Sequence, residues 1–208
     1  YNIDSVETLP LKMRVRLLVV IVLLLTWNIF MYQQFPETMV VSSFDQKEYS
    51  VKRNYSNKET AANILAKLNS INNTVIQHLE EKYDGTAFES EVQFLSDNYD
   101  GDVLEEHMPR TTKNTSYVLN KGDLIKLCLR NPQTKQFHDF DTLLFVNFHE
   151  LSHLLDRRYG HNESFWTSFK FILTEANQLG LYHPIDYKKT PANYCGIIID
   201  GNPFYSLY

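Results

Sequence analysis

The longest apolar pattern in the chain lies near its N-terminus. Residues 17–31 carry no charge, and Lys12, Arg14 and Arg16 precede them. As an α-helix this run would be about 22 Å long, which is shorter than the roughly 30 Å hydrocarbon core of a bilayer. Three interpretations are open: a cleavable signal peptide, a signal anchor or a buried core helix. We expect the anchor, because no small-residue cleavage site follows and the run is apolar on all faces.

The next segments are more polar and predict shorter elements. Residues 33–55 are interpreted as a linker. Apolar residues then recur at helical spacing up to about residue 82, and Ser56 and Glu59 have the spacing of a capping box at the start of that helix. Residues 88–95 alternate in part, which suggests a strand, and the acidic stretch 97–110 predicts a loop with a solvated face.

A hairpin and two more helices are predicted in the second half. Residues 117–119 and 124–129 flank a Gly-containing turn, as in a β-hairpin. One helix should begin after Asp139 or Asp141, and another should begin after Asn162 and end near Gly180. Residues 182–208 are too irregular for a long element.

These elements predict an α+β domain behind a membrane anchor. Its expected bounds are a flank at 1–16, a transmembrane anchor at 17–32, a linker at 33–55 and a domain at 56–208.

The charges and the two cysteines bear on the expected partners, the membrane orientation and the redox state of the chain. The net charge of −5 gives no basic footprint, so nucleic acid is not an expected partner. The cations before the apolar run put the N-terminus on the cytosolic side and the domain across the membrane. Cys128 and Cys195 could form a disulfide or remain buried thiols. The apolar neighbours of Cys128 favour the thiols.

The candidate chemistry lies in the predicted helix that contains residues 145–155. His149 and His153 are four residues apart, so their imidazoles lie on one helix face and can bind one Zn²⁺. In this H-E-x-x-H pattern Glu150 is a base that takes a proton from water. The apolar residues around them indicate a buried helix, where histidines without a metal would be costly.

A catalytic zinc needs a third protein ligand. His161 is the first choice, because Gly160 allows a sharp turn back over the helix. Glu175 on the following helix is the second choice and His183 is the third. A hydrogen-bond donor to the oxyanion is also expected from the C-terminal region, and the candidates are Tyr182, His183 and Tyr187.

These motifs resemble a known family. His-Glu-Leu-Ser-His followed by Gly160-His161-Asn162 and Phe165-Trp166 is similar to the WLM group of zincin-like metallopeptidases. Residues 117–194 also resemble WLM-like proteins of large nucleocytoplasmic DNA viruses, including the chloroviruses. The chain departs from the WLM pattern in two ways: His161 follows His153 by eight residues instead of six, and no Pro precedes it.

The resemblance implies a membrane-anchored zinc metallopeptidase of a large DNA virus that hydrolyses peptide bonds. The alternative is a virion structural protein, a minor capsid component that tethers the inner membrane to the shell and uses the zincin-like fold for packing. Expected partners are membrane lipid, a protein or peptide substrate, and the viral capsid or other virion membrane proteins. The expected location is the virion inner membrane, derived from host ER. Four glycosylation sequons are present, and we expect most to be unmodified; they begin at Asn54, Asn72, Asn114 and Asn162.

Overall fold

The N-terminal apolar run forms one long helix. The computed structural model describes residues 10–34, 36–109, 111 and 115–206. Helix α1 spans Leu11–Gln34, and its segment Leu11–Met31 is long and apolar enough to cross a membrane. At 24 residues it measures about 36 Å. The helix therefore begins earlier than the expected anchor at 17–32 and is not too short for a bilayer. Most of the flank at 1–16 lies outside the described residues.

The chain divides into two units, residues 1–38 and 39–208. The second unit contains most of a mixed five-stranded sheet in the order β1-β2-β3-β5-β4. Strand β3 is parallel to both β2 and β5, whereas β4 is antiparallel to β5 and lies at an edge. The strands are β1 Glu37–Val41, β2 Glu48–Lys52, β3 Leu104–His107, β4 Tyr117–Leu119 and β5 Leu124–Cys128. The predicted hairpin at 117–129 and the α+β class are confirmed.

Two predicted loops are wrong. The expected linker at 33–55 contains β1 and β2, and the acidic stretch at 97–110 contains β3. Glu106 in β3 is fully buried instead of solvated. Its carboxylate accepts hydrogen bonds from Arg130 Nε at 2.7 Å and from the Lys52 backbone N–H at 2.8 Å. A distant arginine thus compensates a charge that made the strand look like a loop.

Two helices pack beside this sheet. Helix α2 spans Lys58–Tyr83, and its N-cap is Asn57 in a left-handed conformation, without a side-chain cap. The Ser56 capping box is therefore wrong. Helix α3 spans Glu89–Asn98, where we expected a strand. Val92 and Leu95 are buried three positions apart, which is helical spacing, and they place α3 against α2 and α4.

The two remaining helices begin at side-chain caps. Helix α4 spans Phe140–Leu155, and Asp139 accepts hydrogen bonds from the backbone N–H groups of its first turn. Helix α5 spans Glu163–Gln178 and is capped in the same way by Asn162. Both caps match the sequence prediction. Helix α4 packs against α5, α3, α2 and the β4–β5 hairpin, so it is buried on several sides.

A disulfide joins a small C-terminal hairpin to the main sheet. Strands β6 Ala192–Tyr194 and β7 Ile197–Ile199 form an antiparallel pair. Cys195 in its turn is bonded to Cys128 at the end of β5, with the two Cα atoms 6.5 Å apart. The expectation of free buried thiols is wrong, because the fold brings together two cysteines separated by 67 positions.

Candidate metal centre

Three imidazoles converge above helix α4. His149 and His153 stand one turn apart, and His161 folds back from the loop between α4 and α5. The Nε2 atoms of His149 and His161 are 2.9 Å apart, and the ligand nitrogens of all three lie within 4.8 Å of one another. Three nitrogens at this spacing could occupy three corners of a tetrahedral zinc site.

The loop that carries His161 is anchored at its start. Lys121, in the turn of the β4–β5 hairpin, donates from Nζ to the backbone carbonyls of His153 at 2.8 Å, Asp156 at 2.5 Å and Arg158 at 2.6 Å. Asp156 in turn accepts from Ser164 Oγ at 2.7 Å. Lys121 therefore holds the end of α4 and the first part of the loop. No local sequence pattern indicated this role, since an isolated lysine in a turn is usually solvated.

The electrostatics keep the imidazoles neutral, as metal binding requires. Burial, with the neighbouring His153 and His161, lowers the pKa of His149 well below its ordinary value. Burial, followed by the proximity of His161, lowers the pKa of His153 to about 4. Burial also lowers the pKa of His161. A divalent cation that prefers nitrogen ligands fits this set of donors.

Glu150 lies beside the triad formed by His149, His153 and His161, in a buried site that disfavours the charge of its carboxylate. The residue is 4% exposed, and burial raises the pKa of its carboxyl group to about 8. A nearby cation would favour the carboxylate, so the position suits a proton acceptor next to a metal.

Two cavities meet at the triad, and both are lined by Ser116, His149, Glu150 and His161. The larger has a volume of about 500 Å³ and extends between α5 and the β6–β7 hairpin. The smaller, of about 240 Å³, extends along the edge strand β4. The triad thus lies at the middle of an open cleft.

The other proposed ligands lie elsewhere. The Glu175 carboxylate accepts from Lys82 Nζ at 2.7 Å and from Tyr83 OH at 3.0 Å, and it is 3.0 Å from His78 Nε2. These three side chains of α2 hold the Glu175 carboxylate between α2 and α5. His183 is exposed and lines neither of the two cavities.

The expected oxyanion donors are also absent from the cleft lining. Tyr182 is buried and its hydroxyl accepts from Asn202 Nδ2 at 2.8 Å. Tyr187 is buried against Phe145. None of Tyr182, His183 and Tyr187 lines the cavities at the triad.

Tyr194 is the residue that the sequence analysis missed. It lines the larger cavity, and its hydroxyl is 2.6 Å from Ser116 Oγ. Burial raises its pKa, with a smaller contribution from the charge of Glu150. Tyr194 ends the segment 117–194 that resembles the viral WLM-like proteins, which was a usable signal. It also precedes Cys195, whose disulfide to Cys128 joins this hairpin to β5.

Comparisons with known proteins agree with these features. The WLM domain model matches residues 96–193. Uncharacterized protein R325 of Acanthamoeba polyphaga mimivirus is 34% identical over 162 residues, which cover 77% of this chain and 81% of that protein. Uncharacterized protein 042R of Invertebrate iridescent virus 3 is 42% identical over 82 residues, 39% of this chain and 50% of the relative.

Among solved structures, Wss1 from Saccharomyces cerevisiae is similar with a TM-score of 0.45 and 21% identity, over 63% of this chain and 90% of that one. The matched range of the family model includes the three histidines and Glu150. With the long viral relative, the match shows that this chain belongs to the WLM domain family.

Proposed function

We propose that this chain is a zinc-dependent peptidase of zincin type, held at a membrane by α1. The observation that carries the proposal is the convergence of three neutral imidazoles within 4.8 Å beside a buried carboxylate, at the middle of an open cleft. The family membership supports the same function.

In this proposal His149, His153 and His161 hold the metal. Zinc, when bound, acts as a Lewis acid that polarises a carbonyl and lowers the pKa of water. The Glu150 carboxylate accepts a proton from the attacking water and returns it to the leaving amide nitrogen. Tyr194 replaces Tyr182, His183 and Tyr187 as the proposed donor to the oxyanion, because it lines the cleft that contains Glu150.

The edge strand β4 is the proposed site for the substrate backbone. Its ladder to β5 leaves its other edge toward the smaller cavity, which Tyr117 and Val118 line. An extended peptide could add to this edge by backbone hydrogen bonds. A protein or peptide substrate is therefore expected to bind in extended form.

The proposed anchor is α1, with its N-terminus on the cytosolic side and the domain across the membrane. The Cys128–Cys195 disulfide supports this orientation, because disulfides persist in oxidising compartments. The viral relatives support a virion membrane as the location. Resistance of the full-length chain to extraction by alkaline carbonate would be the expected result. Release into the supernatant would contradict an integral anchor.

The function is tested by metal content and hydrolysis of the full-length chain in detergent. We expect about one zinc per chain by elemental analysis, loss of zinc in His149→Ala, and retained zinc without peptide hydrolysis in Glu150→Gln. Equal hydrolysis by Glu150→Gln would contradict the base assignment. A wild-type chain without zinc would instead favour the structural hypothesis, a tether between inner membrane and capsid.

A further inference from the structure

One wall of the larger cavity is apolar and aromatic. Helix α4 contributes Phe145 and Val146, and helix α5 contributes Trp166 and Phe169. The hairpin adds Ile197 and Ile199 from β7. The cavity volume of about 500 Å³ exceeds what one large side chain needs. This wall therefore has the shape and chemistry of a side-chain pocket.

The pocket adjoins the proposed metal ligands directly. Phe145 and Val146 precede His149 and Glu150 by one turn of α4, and all four line the cavity. One helical turn is about 5.4 Å, which is close to the advance of one to two residues in an extended peptide. A peptide carbonyl at the triad would thus place a neighbouring side chain over Phe145.

The β7 strand leaves apolar surface uncovered at this pocket. Ile197 is 36% exposed although it lines the cavity between aromatic residues. Its neighbour Ile198 is 59% exposed and does not line the cavity. Covering such exposed apolar surface with an apolar ligand group is favourable, because it removes the surface from water.

We propose that this pocket, formed by α4, α5 and β7, selects substrates with a large apolar residue next to the scissile bond. The inference rests on the proposed peptidase function and names its substrate class. Ile197 is the specificity-determining residue at the rim of the pocket. Aliphatic and aromatic side chains fill the pocket, whereas a charged side chain would lose hydration against this apolar wall. The exposed Lys188 and Asp200 also line the cavity, and an exposed ion pair with either would compensate little of that loss.

The test measures binding, not turnover. The probes are short peptidyl hydroxamates, in which the hydroxamate serves as the zinc-binding group and one adjacent side chain is methyl, isobutyl, benzyl or carboxymethyl. Affinities are measured by calorimetry on the zinc-loaded, full-length chain in detergent. We expect the isobutyl and benzyl probes to bind roughly 10- to 100-fold more tightly than the methyl probe, and the carboxymethyl probe to bind more weakly than the isobutyl and benzyl probes.

Two single substitutions on one strand form a matched pair. Ile197→Asp should abolish the preference for isobutyl and benzyl, and its zinc content should equal that of the wild type. Ile198→Asp, an equal charge change outside the cavity, should keep the full preference.

The outcomes separate the two proposals. Tight, zinc-dependent binding of every probe with no dependence on the side chain would overturn the pocket and leave the metal site intact. Equal loss of preference in both variants would also contradict it. No binding of any hydroxamate, together with no zinc, would refute the peptidase function and the pocket with it.

Discussion

The side-chain amides of Asn72 and Asn147 exchange two hydrogen bonds in the buried interior. Asn72 Nδ2 donates to Asn147 Oδ1 at 3.1 Å, and Asn147 Nδ2 donates to Asn72 Oδ1 at 2.6 Å. Both residues are 1% exposed. The pair joins α2 to α4 two positions before His149, so it fixes the helix that carries the proposed metal ligands.

Asn147→Ala should destabilise the domain by about 1–3 kcal/mol, because the buried amide of Asn72 would lose its two hydrogen bonds to Asn147. Thermal unfolding of the full-length chain in detergent measures this change. Gln77→Ala is the control, because its amide donates to the exposed Glu81 on the surface of α2; it should change stability by less than about 0.5 kcal/mol. Equal effects would mean that the buried pair contributes nothing specific.

The same burial predicts the state of the sequon at Asn72. Its amide cannot carry a glycan while it is bonded to Asn147 inside the domain. Asn162 caps α5 and is also expected to be unmodified. Asn54 is exposed, and Asn114 lies outside the described residues. Intact-mass analysis should find no glycan at Asn72, and a glycan there would contradict the packing of α2 on α4.

Lys121→Met should weaken zinc binding by about 10- to 100-fold, as removal of groups that support metal ligands usually does. The change leaves three carbonyls around the His161 loop without their donor. Competition with a chromophoric chelator gives the affinity. Lys47→Met is the control, since its ion pair with Asp102 is largely exposed. Unchanged affinity in Lys121→Met would show that the loop holds its position unaided.

Glu175 should contribute stability that depends on pH. Burial alone would raise the pKa of its carboxyl group, but hydrogen bonds from Lys82, His78 and Tyr83 outweigh burial and lower it from 4.5. A carboxyl group with a lowered folded-state pKa stabilises the fold fully above its unfolded pKa. This contribution is lost as the pH falls through the folded-state pKa.

Glu175→Gln should therefore cost about 2–3 kcal/mol at pH 7, because Lys82 loses its buried partner. The difference from wild type should shrink below a pH of about 4. Thermal unfolding of both proteins between pH 7 and pH 3 checks this. A difference that stays constant over this range would contradict the ionic role. Zinc content should be unchanged in the variant, because the Glu175 carboxylate is bonded to residues of α2 and does not line the cavities at the three histidines.

Loss of the Cys128–Cys195 disulfide should both destabilise the domain and loosen the cleft wall. A link across 67 positions is expected to contribute up to about 4 kcal/mol. An isolated two-stranded hairpin is marginal without such support. Reduction should lower the melting temperature and weaken the binding of the isobutyl hydroxamate. The Cys128→Ala/Cys195→Ala double variant is the control, and reductant should have no effect on it.

Helix α4 and the loop after it were predictable because the residues that determine them lie close together in the sequence. The spacing of His149 and His153, the caps Asp139 and Asn162 and the turn at Gly160 all act within a few residues. The position of His161 followed from the same local logic. These features needed no knowledge of the rest of the fold.

The missed features depend on partners far away in the chain. Strand β3 pairs in parallel with β2 and β5, and its Glu106 is neutralised by Arg130, so its sequence alone resembles a loop. Tyr194 lies at the cleft next to Cys195, which is bonded to the distant Cys128. Parallel pairing and covalent links between distant segments leave no periodic signal, and this is why both were overlooked.

The triad and the part of the pocket wall formed by β7 come from different segments of the chain, so the two can change independently in evolution. The ligands come from α4 and the loop after it, whereas Ile197 and Ile199 come from a hairpin about 40 positions later in the chain. Mutations at Ile197 or Ile199 in β7 would change the apolar wall of the pocket and leave the three histidines, Glu150 and Tyr194 in place. Selection among viral relatives could therefore alter β7, whereas Tyr194 ties β6, the other strand of the hairpin, to the proposed chemistry.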